Sequence, residues 1–241
     1  MPTTPLTPSL TDEAAAVLTV GGNERLTPEL VSRVAAAVAQ AESADGGVVL
    51  LLLGGDAAPT AQDPADFPSS GTGIHLVNTW ERVLRRLENT GRPTLAVVEG
   101  DCTGPALEAL LIADYRLAAP DARLRLAGAE DGAWPGTAVH RLANQIGTAR
   151  ARRLLLLRPW LSAAEAAAGE LVDETAGSTQ EIRERAAALA GVLAALPGQE
   201  WSIRRRLLFD SGLSYEEALG AHLAACDRSL RRQQPMPSTR P

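Results

Sequence analysis

The chain has 241 residues, enough for one large domain or two small ones with a core beyond the minimum. Hydrophobic residues make up 45% and charged residues 22%, ordinary globular usage that argues against wholesale disorder. The net charge of −6 argues against a general binder of nucleic acid or anionic membranes. All 23 cationic residues are arginine, which excludes Schiff-base chemistry on lysine and a Walker-type phosphate lysine. The longest apolar run, Val48 to Leu53, is far short of the ~20 residues of a membrane helix. The opening MPTTPLTPSLTDE lacks the basic and apolar blocks of a signal peptide, and Cys102 and Cys226 make neither a disulfide framework nor a zinc site. The expectation is a cytoplasmic enzyme or binding protein without a metal.

In chain order, residues 1–12 are Pro/Thr-rich and expected to be loose. Ala16 to Val20 reads as a strand. Thr27 then caps a helix with Pro28 at its first position and Leu30, Val34 and Val38 on one face. Gly47 to Leu53 is a continuous apolar strand of the kind buried on both faces. The stretch from Gly54 to about Gly73 is a long loop rich in Gly, Pro, Asp and Ser, of the length that often serves ligands. Ile74, Val77, Trp80, Leu84 and Leu87 recur at helical spacing, and Thr94 to Glu99 is a second buried strand. Gly100 to Pro105 reads as a turn that opens an apolar helix to about Ala113. Strands follow near Tyr115 to Ala118 and Arg123 to Ala127, and Ser162-Ala163-Ala164-Glu165 is a capping box. After Leu171-Val172-Asp173 only helices are expected: Thr179 to Leu196, Gln199 to Phe209 and Ser214 to Arg232, with a flexible tail from Gln233. Alternating strands and helices indicate an α/β layer architecture.

From Gly46 to about Ala176 this order resembles the crotonase family, the enoyl-CoA hydratase/isomerase superfamily. The matching pieces are Leu53-Gly54-Gly55-Asp56, Arg92-Pro93 through Glu99-Gly100, Leu107-Glu108 through Leu117-Ala118, and Trp134-Pro135-Gly136. A fifth joins Leu161-Ser162-Ala163-Ala164-Glu165-Ala166 to Gly169-Glu170-Leu171-Val172-Asp173. The resemblance implies a ClpP-like spiral of ββα turns over residues 13–176, with residues 177–232 as a helical C-terminal region serving oligomerisation. It also implies assembly as homotrimers or hexamers and an acyl-CoA thioester as substrate. Coenzyme A is then part of the substrate, and no further cofactor is expected. In such a site two backbone N–H groups hold the thioester oxygen as an enolate develops, and glutamates move protons.

Carried over residue by residue, the resemblance puts the first oxyanion N–H near Ala61 and Gln62. The second falls on Thr103-Gly104-Pro105-Ala106, with the donor position on Pro105. Proline has no N–H, so either Ala106 donates instead or the hole is incomplete. Glu108 matches the first family glutamate, one turn into its helix. A carboxylate among Ala106, Leu107, Ala109, Leu110 and Leu111 is costly unless it is paired or functional. An ion pair with an arginine is the alternative. The second family glutamate falls near Gly128, which has no side chain. Glu130, two residues on, is the stand-in and Asp131 a lesser one, with a solvated turn as the alternative for both. Trp134 either lines an acyl pocket or plugs the core. Cys102 is expected to pack as a small apolar residue, and His75, His140 and His222 to sit at the surface or an interface. Arg204-Arg205-Arg206 is either a solvated helix face or a contact for a CoA phosphate.

Within the family, Glu99 through Leu111 and Trp134-Pro135-Gly136 are most similar to the small crotonase-like subfamily of 3,5-dihydroxyphenylacetyl-CoA formation, on the route to dihydroxyphenylglycine and glycopeptide antibiotics. That resemblance implies a type III polyketide synthase and sister crotonase-family enzymes as partners. The implied activity is dehydration, and so aromatisation, of a CoA-bound polyketide, with Glu108 as acid/base. Two alternatives stand beside it. One is a non-catalytic accessory subunit, favoured by Pro105 and Gly128; the other is a single-base enoyl-CoA isomerase.

Overall fold

The computed structural model describes residues 11–55, 73–125, 137–157, 160–196 and 198–209, with positions 216, 219, 220, 222, 223 and 226 beyond them. The strands are Ala14–Val20 (β1), Val48–Gly54 (β2), Thr94–Glu99 (β3), Asp101–Cys102 (β4), Tyr115–Ala118 (β5), Arg123–Arg125 (β6), Trp160–Ser162 (β7) and Glu174–Thr175 (β8). The helices are Pro28–Ser43 (α1), Ile74–Glu88 (α2), Gly104–Leu111 (α3), Ala138–Ile146 (α4), Thr148–Leu157 (α5), Ala163–Ala168 (α6), Thr179–Ala194 (α7) and Gly198–Phe209 (α8). The larger sheet is parallel throughout, in the order β1-β2-β3-β5-β8. The smaller runs β4-β6-β7, with β6 and β7 antiparallel.

Strand β2, Val-Val-Leu-Leu-Leu-Leu-Gly, explains why the larger sheet is covered on both faces. Its side chains alternate between faces and both kinds of position are apolar. Val49, Leu51 and Leu53, with Ala96 and Val98 of β3, pack against Leu30 and Val34 of α1, Leu84 and Leu87 of α2, and Leu107 and Leu110 of α3. Val48 and Leu50, with Leu95 and Val97, pack instead against Ile182, Ala186 and Ala190 of α7. Thr27 caps α1 by accepting the Leu30 N–H at 3.2 Å, with Pro28 in the first turn, as its sequence predicts. The capping box at Ser162 forms, with Ser162 and Glu165 each taking the other's backbone N–H.

Two local expectations are corrected. Asp101 and Cys102 do not simply turn: they pair with Arg123 and Leu124 as β4. Glu174 and Thr175 pair with Leu117 and Ala118 as β8, although only helices were expected after Asp173. Asp173 leads this strand in through two hydrogen bonds to the Arg116 backbone: its N–H donates to the Arg116 carbonyl at 2.9 Å, and its side-chain carboxylate accepts the Arg116 N–H at 2.7 Å. Two-residue strands are too short to show alternation, and a partner distant in sequence creates them. Helix α5 and strand β7 carried no expectation from the sequence, while His140 lies on α4, in keeping with the helical pattern around it. No helix among the described residues is long and apolar enough to cross a membrane.

Candidate active site

The carboxyl ends of β2 and β3 come together where Gly54 pairs with Glu99. Gly54 has φ +90, and a Cβ there would lie 2.1 Å from the Glu99 carbonyl oxygen. Only glycine therefore fits this crossing. Gly22 fills the same need after β1, since a Cβ on it would meet the Asp101 carbonyl oxygen at 1.7 Å. Thr103 then fastens this edge to the start of α3: its N–H and Oγ1 both donate to the Gly22 carbonyl, at 2.9 and 2.7 Å. The loop after β1, the end of β2 and the N-terminus of α3 thus meet at one edge, the carboxyl end of the sheet, where open α/β sheets bind ligands.

Helix α3 begins at Gly104 with Pro105 in its first turn. The Ala106 N–H donates to the Thr103 carbonyl at 3.0 Å and the Leu107 N–H to the same oxygen at 3.3 Å. Ala106 therefore spends its donor inside the helix start, while Pro105 has none to offer. Among the described residues the Gly104 N–H takes no backbone acceptor. At the other end, the Leu111 carbonyl accepts Arg116 Nη2 at 3.0 Å and Gln145 Nε2 at 2.6 Å. A cation at a helix C-terminus is the favourable sign, and these two bonds fix the helix that carries Glu108.

Glu108 is 6% exposed, enclosed with Leu107, Ala109 and Leu110. Its partner is not an arginine but Trp80 of α2, whose indole Nε1–H donates to Glu108 Oε2 at 2.5 Å. Burial pushes the Glu108 carboxyl up to about 7; the Trp80 hydrogen bond works against that rise, Glu81 adds to it, and Arg141 of α4 lowers it from a distance. Arg141 itself is engaged elsewhere, with Nε on Glu88 at 2.7 Å and Nη1 on Glu81 at 3.4 Å. A carboxyl near 7 holds and releases a proton with similar ease at neutral pH, which is what general acid–base chemistry needs.

The sequence singled out Glu108 but not Trp80, which it placed only on an apolar stripe. A signal was present, because a buried tryptophan carries one N–H that needs an acceptor and a buried carboxylate needs a donor. Ala61, Gln62, Gly128, Glu130, Asp131 and Trp134 lie outside the described residues. Cys102 is fully buried, with its thiol pushed up by desolvation, as a packed residue should be. His75, His140 and His222 are exposed. Arg205 departs from both expectations for its arginine run, since it is 3% exposed and paired with Asp114 in the core. Among the described residues no cluster of His, Cys, Asp and Glu is arranged to hold a metal.

The family model for Enoyl-CoA hydratase/isomerase matches residues 26–200. This chain belongs to that family. The matched span is wider than the Gly46–Ala176 stretch that carries the motifs. The "Enoyl-CoA-hydratase" of Amycolatopsis orientalis is 42% identical over 219 residues, covering 90% of this chain and 96% of that protein. The (3,5-dihydroxyphenyl)acetyl-CoA 1,2-dioxygenase of the same organism is 34% identical over 117 residues, 48% of this chain and 26% of its own length. An enoyl-CoA hydratase/isomerase structure from Cupriavidus metallidurans CH34 superposes with a TM-score of 0.75 at 22% identity, covering 89% of this chain and 84% of that one, a likeness of fold. The α/β fold is that of the crotonases, and an acyl-CoA thioester is the substrate class consistent with family membership.

Proposed function

We propose that this protein promotes dehydration, and so aromatisation, of a CoA-bound polyketide on the route to 3,5-dihydroxyphenylacetyl-CoA. In this reading it is cytoplasmic, works as a homotrimer or hexamer beside a type III polyketide synthase and sister crotonase-family enzymes, and needs no cofactor beyond its substrate's coenzyme A. The observation that carries the reading is Glu108: a carboxyl held near 7 on the helix where the family places its first glutamate, at the ligand edge of the sheet. Two Amycolatopsis orientalis relatives support the pathway, one named for hydration of enoyl-CoA and one for a reaction of (3,5-dihydroxyphenyl)acetyl-CoA.

The carboxylate removes the α-proton of a β-hydroxyacyl thioester, and the electron pair moves onto the thioester oxygen. As the carbonyl re-forms, the β-hydroxyl departs and takes a proton from the same carboxyl, leaving as water. One group near neutrality can serve both transfers. Ala61 or Gln62 supplies one N–H to the developing oxyanion, and the Thr103-Gly104-Pro105-Ala106 turn borders it. Glu130 assists proton transfer, and Trp134 lines the acyl pocket.

The test is product formation from malonyl-CoA by the pathway's synthase, with wild type or Glu108→Gln added. Wild type raises the yield of dihydroxyphenylacetyl-CoA, and Glu108→Gln loses about 10²-fold or more of that effect, the usual loss for a general acid–base group. Equal stimulation by both proteins overturns the catalytic reading. It would favour an accessory subunit that stimulates its partner without chemistry. Pro105 and the engaged Ala106 N–H are the observations on that side, because they leave neither residue a free donor for an oxyanion.

A further inference from the structure

A tryptophan indole is a donor only, and a carboxylate is an acceptor only. Where Trp80 and Glu108 meet, 28 positions apart in the chain, the direction of the hydrogen bond is therefore fixed. Trp80 is 1% exposed and lies in the apolar stripe of α2 with Val77, Leu84 and Leu87, so its ring cannot turn away without opening the core. Its N–H is committed to Oε2, and among the described residues Oε1 takes no partner. A buried carboxyl prefers to be neutral, and among the described residues one donor without charge is all that opposes this at contact distance.

We infer that Trp80 is the positioning residue of Glu108: its N–H retains the carboxylate form inside an apolar site and turns Oε1 outward as the oxygen that exchanges a proton. The inference rests on Glu108 being the acid–base group of the proposed function. Among the described residues the other charged groups facing Glu108 are Glu81 on α2 and Arg141 on α4, with Glu88 behind Arg141. Those three largely satisfy one another, and Thr137 Oγ1 also donates to both Glu81 oxygens at 2.7 Å. A change at Trp80 therefore removes the direct contact while leaving that network in place.

The experiment measures the Glu108 titration itself. The infrared stretch of the protonated carboxyl is followed against pH in wild type, with Glu108→Gln subtracted to isolate the group. It is repeated in Trp80→Phe and in a variant bearing 3-benzothienylalanine at position 80, which keeps the two-ring shape and replaces the N–H by sulfur. That second variant holds the core where Trp80→Phe fails to fold. The expected midpoint is near 7 in wild type, and both variants move it upward by about one to two pH units. The pH–rate limb that follows Glu108 ionisation moves with it. A midpoint that stays in place or falls in a folded variant overturns the inference. The two claims separate cleanly: the midpoint decides the role of Trp80, and product formation by Glu108→Gln decides the reading beneath it.

Discussion

Among the described residues two acidic side chains, Glu108 and Asp114, are buried and each accepts an indole N–H, yet their surroundings differ in every other respect. Asp114 sits between α3 and β5 and takes hydrogen bonds from the Thr94 N–H at 2.7 Å, Thr94 Oγ1 at 2.8 Å and Trp201 Nε1 at 3.1 Å. Arg205 of α8 closes the set, with Nε on Asp114 Oδ1 at 2.7 Å and Nη2 on Oδ2. Its remaining donors reach the backbone carbonyls of Glu88 and Thr90 at 3.0 Å and of Arg92 at 2.7 Å. Among the described residues Glu108 has one neutral donor and no contacting cation. The lesson is one of saturation. Asp114 accepts hydrogen bonds on both oxygens and faces a cation, the arrangement of a carboxylate that holds elements together. Glu108 is held in place by a single contact, and in the proposed function that leaves its carboxyl able to trade a proton.

The comparison breaks most visibly at Arg205. Arg205→Met leaves Asp114 buried without its cation and three carbonyls without a donor, and removing one partner of such a pair costs about 3–5 kcal/mol. Urea denaturation measures it directly. The double variant Arg205→Met with Asp114→Asn should recover part of the loss, because the orphaned charge goes with its partner. A loss under about 1 kcal/mol would mean that the pair does not hold α8 to the core.

At Glu108 the same operation has the opposite sign at neutral and alkaline pH. Its folded value of about 7 lies above the 4.5 of an exposed glutamate. The protonated fold is thus favoured, and that stability is fully present below about 4.5 and is lost as the pH rises through 7. The shift corresponds to about 3 kcal/mol across that window. Glu108→Gln has no proton to lose, so its stability relative to wild type should grow from pH 5 to 7 and level off above. Urea curves that stay parallel over this range would show that Glu108 is not the strained acid described above.

How much of this was legible in the sequence follows from the same contrast. Strands β2 and β3, the caps at Thr27 and Ser162 and the anomalous Glu108 each leave a local signature: an apolar run, a hydroxyl before a helix, a carboxylate among leucines. The short strands β4 and β8 leave none, since two residues pair only because Arg123 and Leu117 arrive beside them. The arginine run from Arg204 to Arg206 misled for a related reason. Three consecutive charges on a helix point in different directions, and only the fold shows that Arg205 is the one facing Asp114. Trp80 falls between these cases. Its indole donor and the lone carboxylate of α3 are both visible in the sequence, but their meeting is a property of how α2 packs on α3.

The finest test asks whether an indole N–H does the same thing in both places. Trp201→Phe removes one donor from Asp114 while keeping an aromatic ring beside Arg205, whose guanidinium lies 5.9 Å from the Trp201 ring centre. Asp114 keeps Thr94 and Arg205, so the cost should be about 1 kcal/mol, the ordinary worth of one hydrogen bond among several. Calorimetric or urea unfolding reads that loss. The Glu108 midpoint and the pH–rate profile should stay where wild type has them, because Trp201 lies against a different carboxylate. Trp80→Phe should do the reverse in kind, with its main signature in the titration of Glu108. If Trp201→Phe moved the Glu108 midpoint as far as Trp80→Phe does, the two acids would be coupled through α3, and the division between a structural and a reactive carboxylate would fail.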